Sequence, residues 1–217
     1  MRALLLDRPP GTPLRVLCLG AHSDDLEIGC GGTMLHLVHR YAPVTVDWVV
    51  LGADDAVRRA EAEAGAAAIL AGAAERRVRI ERFRDGYFPF VGAEIKDYLA
   101  ALKRDVTPDL VLTHQRHDFH QDHRLVAELT WQTFRQTLVL EYEIPKWDGD
   151  LGSPSVYVPL PEDVVEAKLR ILATTFASQR TKTWFTPDTF RSLLRLRGVE
   201  AGAPFAEAFY GRKLVVA

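Results

Sequence analysis

Residues 117–124 read HDFHQDHR, so three histidines and two aspartates fall within eight positions of a chain that has seven histidines in all. Far earlier, residues 21–27 read AHSDDLE. Imidazole and carboxylate are the ligands of hydrolytic zinc sites, in which three protein groups hold the ion and the fourth position is left to water. His22 and Asp25 supply two such ligands, and a histidine of the second segment completes the set. Asp24 is then left over, and a carboxylate beside the ion that does not bind it is what a general base requires, because it must take a proton from the attacking water. With His123 as third ligand, His120 is placed to face a substrate oxygen. Asp122 is then placed to hydrogen-bond an imidazole and fix its tautomer.

Two segments so far apart need elements that bring them together. Apolar runs rich in β-branched residues alternate with helix-period stretches, the pattern of a parallel sheet covered by helices on both faces. LRVLCLGA (14–21), VTVDWVVLGA (44–53), RVRIERF (77–83), PDLVLTH (108–114), TLVLEYEIP (137–145) and SVYVPL (155–160) read as strands. Helices are expected from GGTMLHLVHRY (31–41), DAVRRAEAEAGAAAILAG (55–72), AEIKDYLAALKRD (93–105), RLVAELTWQTFR (124–135), EDVVEAKLRILATTFASQ (162–179) and PDTFRSLLRLRG (187–198), with GRKLVVA (211–217) as a closing edge strand. The fold class expected is α/β, a Rossmann-like three-layer sandwich with a mostly parallel central sheet, as one domain over 1–217. Both polar segments begin where a strand stops, and in open parallel sheets ligands bind outside the carboxyl ends of the strands. The ends of the first and fourth strands would face one another if those strands are sheet neighbours.

Bulk properties exclude several classes. A formal net charge of -2 with 26% charged residues gives no basic surface for nucleic acid, and no run approaches a membrane span. MRALLLDRPP has too short an apolar stretch for a signal-peptide core, so a cytoplasmic protein is expected. Two cysteines, Cys18 and Cys30, make no disulfide framework. The expected partner is a small molecule, with homo-oligomerisation left open.

AHSDDLEIGCGGT and HQDH resemble the two signature motifs, AHPDDxE and HPDH, of the LmbE-like or PIG-L zinc-dependent N-acetylglucosaminyl deacetylases. The resemblance implies that His22, Asp25 and His123 bind zinc and that Asp24 is the general base. It implies that His120 and Asp122 form the pair that stabilises the oxyanion and protonates the departing amine. Family members contact the sugar through an arginine after the second strand and an aspartate in an FxDG-like stretch; Arg59, with Arg58 as competitor, and Asp85 match these. KLRILATTFASQ (168–179) and EAFYGRKL resemble later parts of the family pattern. Ser23 and Gln121 stand where the motifs carry proline, which alters turn rigidity without removing a ligand. The implied reaction is hydrolysis of an N-acetyl amide of an amino sugar or glycoside. An amidase acting on a non-sugar acyl amine and a non-catalytic metal-dependent binding protein are the competing readings.

Plainer roles compete for several residues. Asp24 and Asp25 suit helix capping. His114 and His117 are either further ligands or residues that line or flank the pocket, and His36 and His39 suit a helix surface. Glu27 suits a contact behind the ligands. Cys30 is a rival ligand, but Gly29, Gly31 and Gly32 around it suggest a tight turn, and GCGGT lacks the GxGxxG spacing of a dinucleotide site. Trp147 and Trp184 suit sugar stacking or packing.

Overall fold

The computed structural model describes residues 9, 11–40 and 43–215. Its strands are β1 (Leu14–His22), β2 (Val44–Gly52), β3 (Glu75–Ile80), β4 (Leu110–His114), β5 (Leu138–Tyr142), β6 (Val156–Pro159) and β7 (Ala206–Gly211). Its α-helices are α1 (Asp25–Arg40), α2 (Ala56–Ile69), α3 (Gly92–Asp105), α4 (Gln121–Thr133), α5 (Glu162–Thr175) and α6 (Pro187–Ala201), with 3-10 turns at Phe88–Val91 and Ala177–Gln179. The strands form one sheet in the order β3-β2-β1-β4-β5-β7-β6. The first five are parallel, and β7 pairs antiparallel with both β5 and β6. This is the α/β three-layer sandwich expected.

Alternation along the strands builds the two outer layers. Val16, Cys18, Val46, Trp48, Leu110 and Leu112 pack against α1, α2, α5 and α6. Their neighbours Leu17, Leu19, Val49 and Val111 pack against α3 and α4. With both faces covered, β1 and β4 are buried along nearly their whole length, which is why they read as continuous apolar runs. No helix among the described residues is long and apolar enough to cross a membrane.

Three expectations are corrected. Helix α1 begins at Asp25 and not at Gly31, so the glycines around Cys30 lie inside a helix and make no turn. They are small because other groups press on them: a Cβ on Gly29 would fall 2.1 Å from the Tyr142 ring, and one on Gly32 2.6 Å from Leu160. The final strand is AEAFYG and not GRKLVVA, and it is interior, with β6 at the edge. Alanine and glutamate have low strand propensity, so tertiary pairing sets this strand; residues 212–215 carry no strand, and 216–217 lie outside the described residues. The helix expected over 162–179 stops at Thr175, and the 3-10 turn that follows brings Ser178 over α2. The opening MRALLLDR and Tyr41 also lie outside the described residues.

Candidate metal centre

Strands β1 and β4 are paired in register, Val16 with Leu110 through Cys18 with Leu112, so their carboxyl ends are adjacent. His22 closes β1, Asp25 opens α1, and His123 lies in the first turn of α4. His22 Nδ1 is 3.2 Å from His123 Nε2 and 3.3 Å from Asp25 Oδ2, and His123 Nε2 is 3.5 Å from the same oxygen. A tetrahedral zinc with bonds of about 2.0–2.1 Å spaces its ligand atoms about 3.3–3.4 Å apart. The three atoms already form that triangle, and the residues fit the ion.

Each ligand is oriented from behind. His123 Nδ1 sits 2.9 Å from Asp118 Oδ2, so the proton is held at Nδ1 and the lone pair of Nε2 faces the triangle. Asp118 is fully buried and is gripped on its other oxygen by Lys146 at 3.0 Å and by the backbone N–H of His120 at 2.8 Å. His22 Nε2 lies 3.1 Å from Asp122 Oδ2 and 3.0 Å from Asp85 Oδ1, which turns Nδ1 inward. Asp25 Oδ2 also accepts the backbone N–H of His22 at 2.6 Å.

The charges follow from this arrangement. Burial alone would push the His22 imidazole down, but Asp25, Asp122 and Asp85 around it hold it well above the ordinary histidine value. Burial and the neighbouring His114 push His123 down to about 3. Burial opposes ionisation of Asp25, yet His123, His114 and His22 hold its carboxyl well below the usual range. The hydrogen bond to His22 lowers Asp85 to about 2.

Asp24 is buried, but its carboxylate stands outside the triangle and accepts from Arg58 Nη2 at 2.7 Å. Neither acidic side chain of the pair serves as a simple helix cap, since one turns to Arg58 and the other to the backbone of His22. Asp122 holds the 86–88 turn by accepting the N–H groups of Gly86 (2.6 Å) and Phe88 (3.1 Å), and Gly86 adopts the left-handed φ of 78° that this turn requires. Its carboxylate therefore serves His22 and the turn rather than His120. The link to His120 runs through the backbone, with Asp122 N–H donating to His120 Nδ1 at 3.3 Å. Neutral His120 then carries its proton on Nε2, and burial with nearby His22 keeps its pKa below the ordinary value.

Against this geometry the sequence comparison is decisive: residues 17–134, more than half of the chain, match the family model described as PIG-L, GlcNAc-PI de-N-acetylase. The chain belongs to the PIG-L family. That places it among the de-N-acetylase hydrolases. Solved structures agree in fold. The N,N'-diacetylchitobiose deacetylase from Pyrococcus horikoshii is 22% identical with a TM-score of 0.68, over 90% of this chain and 82% of that one. The A40926 pseudoaglycone deacetylase Dbv21 is 18% identical with a TM-score of 0.70, over 94% and 98%. GalB, the 4-carboxy-2-hydroxymuconate hydratase from Pseudomonas putida, is 19% identical with a TM-score of 0.72, over 94% and 98%. One fold thus carries amide hydrolysis and hydration, and the fold alone does not choose the chemistry.

Both PIG-L signature segments meet, with His22, Asp25 and His123 in the triangle and Asp24, Asp85, His120 and Asp122 around it. Arg59 does not reach the site: its guanidinium donates to the Ile80 carbonyl at 2.7 Å and pairs with Glu63, whereas Arg58 reaches Asp24. His114 Nε2 lies 2.9 Å from the Ala21 N–H and 3.2 Å from Asp25 Oδ2, and its ring stacks on His123, so with Asp25 and His123 it forms a second group able to hold an ion; His117 is exposed. Cys30 lies in the core and donates to the Leu26 carbonyl. Glu27 is fully buried, its carboxyl raised well above the usual range by burial. Trp184 packs edge-on against Phe185 and Trp147, and Trp147 is exposed.

Sequence reasoning missed Asp118 as the group behind His123, although it stands within the quoted HDFHQDHR. It also missed Lys146 and the amides of Gly86 and Phe88. The last two amides carry no side-chain signal at all.

Proposed function

We propose that the protein is a zinc-dependent N-deacetylase that removes acetate from an N-acetylated amino sugar or its glycoside, as a cytoplasmic enzyme of small-molecule metabolism. The observation that carries this reading is the ready-made triangle of His22 Nδ1, Asp25 Oδ2 and His123 Nε2, with the carboxylate of Asp24 next in sequence yet outside it. Family membership, and relatives in fold described as deacetylases of N,N'-diacetylchitobiose and of the A40926 pseudoaglycone, support the substrate class.

Zinc held by these three residues supplies an activated water and polarises the acetyl carbonyl. The chain's own groups perform the rest. Asp24 takes a proton from the attacking water, and the carbonyl carbon gains a C–O bond. His120, with Nδ1 occupied by the Asp122 amide, offers Nε2–H to the oxyanion. As the C–N bond breaks, Asp24, in place of the His120–Asp122 pair that the resemblance implies, returns the proton to the departing amine, because burial and His22 keep His120 neutral, leaving acetate and the free amino sugar. Arg58, in place of Arg59, and the exposed Asp85 are the groups positioned to take sugar hydroxyls.

An acetate-release screen over N-acetylated sugars, their glycosides and non-sugar acyl amines tests this, run on chelator-stripped protein and on protein restored with zinc or another divalent ion. Release from sugars is expected only after metal is restored. Release confined to acyl amines would move the substrate class, and tight retention of sugar without acetate would mark a binding protein.

A further inference from the structure

Arg58 has more donors than Asp24 uses. A guanidinium facing a lone carboxylate closes on it with two parallel hydrogen bonds, and that would occupy both oxygens of the residue read above as the base. Here the pair is one-sided: Nη2 reaches Asp24 Oδ1 at 2.7 Å, while Nη1 turns the other way, 3.4 Å from Ser178 Oγ and 3.6 Å from Glu61 Oε2. Glu61 is itself buried and fixed at both oxygens, Oε1 accepting the Ser178 backbone N–H at 2.8 Å and Oε2 the Ser178 hydroxyl at 2.6 Å. Gln179, also buried, donates through Nε2 to Ser178 Oγ at 2.9 Å.

The anchor is built from two elements. Arg58 and Glu61 are three apart on α2 and share a face, and Ser178 comes from the 3-10 turn that ends the α5 layer. Arg58 is largely enclosed, with a side-chain exposure of 16%, so a lost partner is not replaced freely by water.

We propose that Glu61 and Ser178 are positioning residues that hold the Arg58 guanidinium back from two-point closure on Asp24, so that one Asp24 oxygen and one edge of the guanidinium stay available to water and substrate. The proposal rests on the deacetylase reading for its kinetic consequence but not for its structural one. It makes the turn at 177–179, far in sequence from both signature segments, part of the machinery.

Glu61→Gln and Ser178→Ala are the variants, with Ser178→Thr as the conservative control that keeps the hydroxyl. Each of the first two is expected to lower kcat/KM about tenfold, within the range of coupled neighbours, and Ser178→Thr to recover most of it. In an Arg58→Ala background the same changes should have no further effect. Zinc content should stay at the parent value. Crystal structures of the two variants should show Arg58 bridging both Asp24 oxygens. Arg58 unmoved in those crystals, or an undiminished Ser178→Ala effect in the Arg58→Ala background, would overturn the proposal. If the parent protein releases no acetate from any sugar, the deacetylase reading fails while the crystal structures still decide the anchor.

Discussion

Helix α1 touches two buried polar clusters, and they are built on opposite principles. At its middle, Lys168 of α5 donates to the Ile28 carbonyl and to Glu207 of β7, both at 2.6 Å, while Glu207 accepts the N–H groups of Gly32 at 2.8 Å and Thr33 at 2.6 Å. Gly32 N–H and the Ile28 carbonyl, the donor and acceptor of one helical turn, are thus both met by the same ion pair. Both Glu207 oxygens and the Ile28 carbonyl have their donors. At the helix's start, two ring nitrogens and a carboxylate oxygen converge on one point. That set is completed by one positive centre, a proton on His22 in the metal-free protein or a metal ion that displaces it. A buried polar cluster that is complete holds the fold, and one that is incomplete by one positive centre holds a ligand.

The sharpest way to break the contrast is at Asp24, which neither cluster needs for its own completion. Asp24→Asn keeps the shape and the triangle but cannot take a proton. Activity is expected to fall by about a hundredfold to ten-thousandfold, with zinc bound at the parent stoichiometry by metal analysis. Activity within twofold of the parent would show that another group handles the proton.

The completed cluster should respond in the opposite sense. Lys168→Met leaves the Glu207 carboxylate buried without its cation, a loss on the order of 3–5 kcal/mol. Denaturant unfolding should register it, while zinc stoichiometry in the folded protein is unchanged. Loss of zinc without loss of stability would mean that the two clusters are one unit, coupled through α1.

This division also explains what was legible in the sequence. Side chains that act by chemical type at strand ends, His22, Asp24, Asp25, His120 and His123, are visible as motifs, and the strands beneath them are visible because burial on both faces leaves an unbroken apolar run. What was not legible depends on who sits opposite. Arg58 and Arg59 are indistinguishable as letters, and only the rotation of α2 sends one to Asp24 and the other to the Ile80 carbonyl. Glycines 29, 31 and 32 suggest a turn until Tyr142, Leu160 and Glu207 are seen pressing on the helix. Strand β7 hides behind alanine and glutamate because its partners are strands β5 and β6 and the Lys168 ammonium.

The smallest expected effect is in the pH dependence of metal uptake, and it tests the incomplete cluster from inside. In the metal-free protein His22 is held protonated by Asp25, Asp122 and Asp85, whereas burial and His114 keep His123 unprotonated down to about 3. Below the raised His22 value a cation must therefore expel one proton from His22 and none from His123. The sign follows directly: lowering the pH stabilises the proton's hold on His22 and weakens zinc, by about tenfold per pH unit for one displaced proton. Competition titrations with a chelator of known pH behaviour, from pH 8 to 6, would measure the slope, and calorimetry in buffers of different ionisation enthalpy would count the proton. A slope of zero would mean that His22 is already neutral before the metal arrives, and that Asp25, Asp122 and Asp85 do not hold its proton. A slope of two would mean that His123 is also charged before the metal arrives, and that burial and His114 do not dominate its titration.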